Sequence, residues 1–148
     1  MNFMRVVLDL NLFVSALIGK TATRAILDHW RTQQFVLVLS ERLLAELRAV
    51  LARPKFQRYF TVDDVQVLIA LLEEHAEFVE PTIRLELSRD AKDNILLDVA
   101  ATAHANYLVT GDKDLLDDPV LIKTMLEQYG VQVIPANTFL EILARESE

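Results

Sequence analysis

The sequence predicts an α/β protein in which short strands form a mostly parallel sheet with helices on both faces. Five short apolar runs have the length and composition of strands. In chain order these runs are Arg5–Leu8, Phe35–Leu39, Glu77–Glu80, Tyr107–Val109 and Val131–Ile134. Helical patterns fill the gaps between the runs, and strands that alternate with helices in this way are typical of a parallel sheet buried on both faces.

The helix after the second run has the clearest boundaries. Ser40 is a good N-cap, and Pro54 ends the helical pattern. One apolar stripe lies between them, formed by Leu43, Leu44, Leu47, Val50 and Leu51. Similar stripes run through Val65–Leu72, Ile95–Ala103 and Val120–Leu126. Gly130 is predicted to follow the last of these helices as a left-handed C′ residue.

Residues 1–148 are predicted to form a single domain, because the chain has the usual length of one domain and contains no repeat or Pro/Gly/Ser linker. No apolar run approaches the roughly 20 residues that span a bilayer, so we expect no membrane association. The N-terminal residues lack the features of a secretory signal, and a cytoplasmic location is expected by default.

The charge and the absence of cysteine limit the partners and metals that the protein can bind. A net charge of −7 argues against general attraction to nucleic acid, which depends on Lys and Arg. Five of the 15 basic residues nevertheless fall in one short stretch, as Arg42, Arg48, Arg53, Lys55 and Arg58. Without cysteine, thiolate catalysis is excluded and any metal must bind through oxygen or histidine.

Two aspartates stand at predicted strand ends, where ligands bind in parallel α/β sheets. Asp9 ends the first run, and Asp112 follows the fourth. If those strands are neighbours, about 4.8 Å apart, their carboxylates repel each other and must share a proton or bind a cation. Mg²⁺ and Mn²⁺ are the cations that oxygen ligands favour. The alternatives are a helix cap for Asp9 and a turn residue beside Gly111 for Asp112.

Two further acids lie on predicted helices. Asp93 shares the apolar face of its helix with Leu96, although a partly buried cap explains its position equally well. Asp90, three residues earlier, is the alternative to Asp93 as the acid of this segment that belongs to the site, but the position of Asp93 on the helix face favours Asp93. Glu46 flanks an apolar stripe, where it could simply form a surface ion pair with Arg42 one turn earlier.

Two polar residues follow Asp9 closely enough to face the same site. Asn11 and Ser15 stand one turn apart, so both could orient a carboxylate, a water molecule or a phosphate. Asn11 could instead serve only as a helix cap.

Four segments in this order resemble the motifs of the PIN-domain family. They are Val6–Leu17, Ser40–Leu47, Arg89–Asn94 and Leu108–Leu116. Together they extend over most of the chain, and the resemblance is greatest to VapC-type toxins of toxin–antitoxin systems. One departure is Leu10, where the family usually has a small or hydroxyl-bearing residue.

This resemblance implies a fold, a site and partners. The fold is a three-layer α/β/α sandwich with a five-stranded parallel sheet. Its strand order reverses between the first and fourth strands, which are neighbours. The metal-binding acids are implied to be Asp9, Glu46, Asp93 and Asp112, with Asp114 a further candidate. The supporting residues are Asn11, Ser15 and Thr110. A homodimer and a cognate antitoxin are the implied partners.

The predicted function is hydrolysis of RNA phosphodiester bonds with Mg²⁺ or Mn²⁺. Arg42, Arg53 and Lys55 are candidates for binding the phosphate backbone, although a solvated helix face explains each of them too. One alternative is a haloacid-dehalogenase-like phosphatase, which needs an aspartate where this chain has Asn11. Another is a PIN fold that has lost catalysis and acts only as a protein-binding module.

Overall fold

The computed structural model describes residues 3–146, so the first two and last two residues of the predicted domain lie outside it. Its sheet has five strands in the order β3-β2-β1-β4-β5, and all neighbouring strands are parallel. The strands are β1 (Arg5–Leu8), β2 (Val36–Leu39), β3 (Glu77–Phe78), β4 (Tyr107–Val109) and β5 (Gln132–Ile134). The predicted α/β fold with a five-stranded parallel sheet is confirmed.

Within residues 3–146, eight α-helices connect and cover the strands. They are α1 (Leu10–Ile18), α2 (Thr21–Arg31), α3 (Glu41–Leu51), α4 (Val62–His75), α5 (Ala91–Ala103), α6 (Lys113–Leu116), α7 (Pro119–Tyr129) and α8 (Ala136–Glu146). Consecutive β1 residues Val6, Val7 and Leu8 are at most 1% exposed. Since consecutive strand residues point to opposite faces, both faces of the sheet are covered by helices.

Local sequence signals set several of these boundaries. The Ser40 hydroxyl accepts a hydrogen bond from the Leu43 N–H at 3.1 Å, as expected of the N-cap of α3. Gly130 ends α7 in the left-handed conformation, with φ of 72°. Helix α4 begins three residues before the predicted stripe, because Thr61 and Asp64 form a capping box at its start.

The third strand is shorter than the predicted run Glu77–Glu80. The Val79 N–H still donates to the Leu39 carbonyl of β2 at 2.9 Å, but the regular strand ends at Phe78. From Val79 to Leu87 the chain stays irregular while half-buried and exposed residues alternate along it. This alternation is typical of an extended segment, although the segment is not paired with a strand of the sheet. Side chains of α5 accept hydrogen bonds from its backbone, as described below for the candidate site.

The register between β1 and β4 determines where the candidate site lies. Leu8 pairs with Val109, and the Asp9 N–H donates to the Val109 carbonyl at 2.9 Å. Asp9 and Thr110 therefore leave the sheet side by side at its carboxyl edge. This is the place where β2 and β3 extend to one side of β1, and β4 and β5 to the other. In open parallel sheets, such a reversal leaves a crevice where ligands bind.

Among residues 3–146, no single helix is long and apolar enough to cross a membrane. Helices α1 and α2 meet that test only as a pair, and they are bent by 105° relative to each other.

Candidate functional site

Asp9 is buried at the junction of β1 and α1. Its side chain is the N-cap of α1 and accepts a hydrogen bond from the Asn11 N–H at 3.3 Å. Its other oxygen accepts a hydrogen bond from the Thr110 hydroxyl at 2.7 Å. Because Asp9 is only 6% exposed, burial raises the pKa of its carboxyl group, while the two hydrogen bonds oppose that rise and the charge of Asp112 adds to it.

Thr110 joins the ends of the two central strands. It is fully buried, and its hydroxyl group donates to Asp9 while accepting a hydrogen bond from the Asp112 N–H at 3.0 Å. One side chain therefore fixes the position of both aspartates that follow the neighbouring strands. The supporting role that the resemblance implies for Thr110 stays a prediction, and these two hydrogen bonds are the contacts through which it would act.

Asp112 begins α6 and is half-buried. Its carboxylate accepts a hydrogen bond from the Asp114 N–H at 2.9 Å, which is the N-cap interaction of that helix. Asp114 itself is exposed and contributes this N–H rather than its carboxylate. Its role as a further metal-binding acid stays a prediction.

Asp93 lies near Asp9 and Asp112 but belongs to a different element, the first turn of α5. It is 7% exposed, and its carboxyl group shares a hydrogen bond with that of Asp112. Burial, together with the nearby charges of Asp112, Asp90 and Asp9, raises the pKa of Asp93 to about 7. Asp90 is exposed and caps α5 through the Lys92 N–H, so Asp93 is the acid of this segment that enters the cluster.

The three aspartates Asp9, Asp93 and Asp112, hereafter the aspartate cluster, share a further feature. Each lies at the N-terminus of a helix, Asp9 and Asp112 as N-caps and Asp93 in a first turn. Helix N-termini carry a partial positive charge, which stabilises nearby carboxylates. The fold thus places three acids together while partly offsetting their repulsion.

Within residues 3–146, no hydrogen bond or ion pair joins Glu46 to this cluster. Its described contact is an ion pair with Arg42, with 3.8 Å between Arg42 Nε and Glu46 Oε1, and 34% of its side chain is exposed. This is the surface-pair interpretation that the sequence left open. Asn11 is exposed and Ser15 half-buried on α1, where their side chains have no described contact with the aspartates. Roles for Glu46, Asn11 and Ser15 stay predictions.

The side chains of the aspartate cluster suit Mg²⁺ or Mn²⁺, because all of their possible ligand atoms are carboxylate oxygens. Within residues 3–146, however, no three His, Asp or Glu side chains are already arranged to bind one ion. The carboxyl groups instead accept protein hydrogen bonds, and Asp93 and Asp112 share one between them. Sharing a proton is one way in which crowded carboxyl groups lower their mutual repulsion.

Comparison with known proteins agrees with this geometry. The sequence profile of the PIN domain matches residues 5–114, which is more than half of the chain and includes the whole aspartate cluster. The chain belongs to the PIN-domain family. This PIN domain is similar to an uncharacterised protein of Methanocaldococcus jannaschii, with 29% identity over 114 residues that cover 76% of this chain and 73% of the relative. PIN domains are generally nucleases, and nuclease activity is what the family indicates for this chain.

The structure of this PIN domain adds residues that the sequence interpretation missed. Asn94, Asp98 and Thr102 stand one turn apart on α5 and accept hydrogen bonds from backbone N–H groups of the extended segment 79–88. At the end of this segment, the Ser88 hydroxyl lies 3.4 Å from Asp93 Oδ2. The sequence signal for these residues is their i, i+4, i+8 spacing, which places them on one face of α5. A polar stripe of this kind ordinarily faces solvent, so the spacing alone does not indicate contact with another segment.

The raised pKa of Asp93 predicts an unusual pH dependence of stability in EDTA. Below about pH 4 both folded and unfolded states carry the proton, but between about pH 4 and pH 7 only the folded state retains it. Stability from this group must therefore fall as pH rises through that window, by at most about 1.4 kcal/mol per pH unit for one proton. Above pH 7 the dependence should level off.

Replacing Asp93 by Asn should remove this contribution. Denaturant unfolding in EDTA should show that the stability of Asp93→Asn relative to wild type increases steadily from pH 4 to pH 7. Asp63→Asn is the matched control, because this exposed acid on α4 is not among the groups that raise the pKa of Asp93, and its relative stability should change little over this range. A constant difference between Asp93→Asn and wild type would contradict the burial and repulsion described for Asp93.

Proposed function

We propose that this PIN domain is a Mg²⁺- or Mn²⁺-dependent endoribonuclease that hydrolyses RNA phosphodiester bonds. The observation that carries the proposal is the aspartate cluster at the carboxyl edge of the sheet, where Thr110 ties Asp9 to the segment of Asp112. Three buried or half-buried acids brought together at a strand crevice are costly to fold without a function that uses their charge.

Asp9, Asp93 and Asp112 are the residues that would hold the ion, with Glu46 and Asp114 as candidates to complete its shell. When bound, the ion would supply Lewis acidity that activates water and stabilises charge on the phosphate. Thr110 keeps Asp9 oriented toward Asp112, and the helix N-termini favour the ionised carboxylates that such an ion needs. None of the three histidines is among the described contacts of these aspartates, so the metal-free chain offers no ordinary base there.

The substrate backbone needs positive charge that a protein of net charge −7 does not supply overall. Arg42, Arg53 and Lys55 are exposed on and after α3, the helix that starts at the carboxyl edge of β2. Lys55 is exposed, and its Nζ lies 5.1 Å from the ring centroid of Phe56. We propose these three residues as phosphate contacts, although Arg42 also pairs with Glu46.

The cellular role that we propose is that of a toxin in a type II toxin–antitoxin system, acting as a homodimer that a cognate antitoxin holds inactive. Support comes from the resemblance of the four motifs to VapC-type proteins. Further support comes from apolar surface that a protein partner could cover. An open cavity of about 320 Å³ lies among α1, α2 and α4, and its lining combines charged side chains with apolar ones that include Leu17, Leu27, Trp30, Val67, Leu68 and Leu71.

The nuclease proposal predicts that the purified protein cleaves single-stranded RNA with Mg²⁺ or Mn²⁺ and that EDTA stops the reaction. Asp9→Asn and Asp112→Asn keep the side-chain size but remove a charge, so each should lower the cleavage rate by about 100-fold or more. Glu46→Gln should also be severe if Glu46 completes the shell. A gel-based assay with a labelled oligonucleotide measures these rates.

Asp117→Asn and Glu141→Gln are the matched controls, since both residues are exposed acids outside the aspartate cluster. Both should cleave near the wild-type rate. Cleavage that persists in EDTA, or that is unchanged in Asp9→Asn, would remove the support for this mechanism.

The toxin proposal predicts that induced expression in a bacterial host arrests growth and degrades cellular RNA. Asp112→Asn, expressed to the same level, should allow normal growth because the arrest depends on the aspartate cluster. Growth curves and electrophoresis of total RNA measure the two effects. Active RNA cleavage in vitro combined with no growth defect would leave the nuclease proposal standing and contradict the toxin role.

A further inference from the structure

The extended segment 79–88 is attached to α5 by side chains instead of by a neighbouring strand. The Thr102 hydroxyl accepts from the N–H groups of Thr82 at 3.1 Å and Ile83 at 3.2 Å. Asp98 Oδ1 accepts from the Leu85 N–H at 2.6 Å. Successive turns of one helix thus supply acceptors for backbone N–H groups of a segment that has no partner strand opposite them.

The last attachment is different, because it fixes one residue at three atoms. The Ser88 N–H donates to Asn94 Oδ1 at 2.9 Å, and Asn94 Nδ2 donates to the Ser88 carbonyl at 3.3 Å. The Ser88 hydroxyl accepts from the Asp90 N–H at 3.2 Å and lies 3.4 Å from Asp93 Oδ2 as a donor. Ser88 therefore has little freedom, and its hydroxyl group is held toward Asp93.

The hydrogen bonds of Asp93 differ from those of Asp9. In the hydrogen bonds of residues 3–146, Ser88 is the one neutral side-chain donor to the Asp93 carboxylate, which otherwise shares a hydrogen bond with the acidic Asp112. Asp9, by comparison, has both the Thr110 hydroxyl and the Asn11 N–H. A carboxylate among like charges and with one weak donor is easily turned away from them.

We propose that Ser88 and Asn94 are positioning residues of the metal site: Asn94 holds Ser88, and the Ser88 hydroxyl holds Asp93 toward Asp9 and Asp112. This inference rests on the proposed function, because it assumes that Asp93 binds the ion. In this proposal the Ser88 hydroxyl group orients Asp93 in the way that the Thr110 hydroxyl group orients Asp9. Removing a group that forms a hydrogen bond to a metal ligand and orients it commonly weakens metal binding by about 10- to 100-fold.

The same helix supplies a control that separates positioning from simple attachment of the segment. Thr102 binds the same segment, but it lies nine residues beyond Asp93, about 13 Å along the helix axis. Thr102→Val keeps the side-chain shape and removes the hydrogen bonds. It should lower the melting temperature without altering the response to Mn²⁺.

The experiment measures the melting temperature over a range of Mn²⁺ concentrations and fits its rise to obtain the apparent Kd for Mn²⁺, a readout that does not depend on RNA cleavage. Ser88→Ala removes only the hydroxyl group and leaves the backbone bonds to Asn94, whereas Asn94→Ala releases Ser88 itself. Both should raise the apparent Kd for Mn²⁺ by about tenfold. Ser88→Thr retains a hydroxyl group and should stay near wild type.

Equal Mn²⁺ responses in wild type, Ser88→Ala and Asn94→Ala would overturn the positioning role while leaving the metal site intact. A Thr102→Val variant that is affected as strongly as Ser88→Ala would also overturn it, because attachment alone would then explain the effect. If wild type showed no Mn²⁺ response at all, both the proposed metal site and this inference would fail. If Asn94→Ala does not fold, Ser88→Ala with Ser88→Thr decides the question alone.

Discussion

Repulsion among three carboxyl groups at one end of a parallel sheet is the interaction on which the rest of this site depends. The register of β1 and β4 brings Asp9 beside Thr110, and α5 adds Asp93 to the same crevice. Burial makes this repulsion stronger, since water no longer screens the charges. The surrounding structure can therefore be understood as a set of contacts that keep three like charges together.

Three kinds of contact do this. The buried Thr110 hydroxyl group binds both the Asp9 carboxylate and the Asp112 N–H, so that neither strand end can move without the other. Helix N-termini place backbone N–H groups and a partial positive charge beside each acid. Asp93 and Asp112 share a hydrogen bond, which keeps a proton in the cluster near neutral pH. Binding of a divalent ion would replace that proton.

Much of this arrangement was predictable from the sequence because it depends on local signals. Asp9 and Asp112 could be placed at strand ends from apolar runs alone, and the N-caps Ser40 and Asp9 follow from residue type. That the two strand ends are neighbours came from the family resemblance, and the sheet order confirms it. No periodicity within one strand specifies which other strand will pair with it.

The segment before α5 could not be predicted in the same way. Val79–Leu87 alternates as a strand does, yet side chains of α5 take the place of a partner strand, and such pairing depends on tertiary contacts. Ser88 and Asn94 were therefore missed although they lie within six residues of Asp93. Glu46 illustrates the opposite case, because motif resemblance assigns it to the site while its described contact is with Arg42.

The central proposal is that the aspartate cluster releases a proton when it binds a divalent ion. Titration calorimetry with Mn²⁺ at pH 6, repeated in buffers of different ionisation enthalpy, measures the protons released for each ion bound. Since the pKa of Asp93 is raised to about 7, wild type should release about one proton per ion, and Asp93→Asn should bind more weakly and release fewer. Binding without proton release, or the same release from Asp93→Asn, would contradict the account.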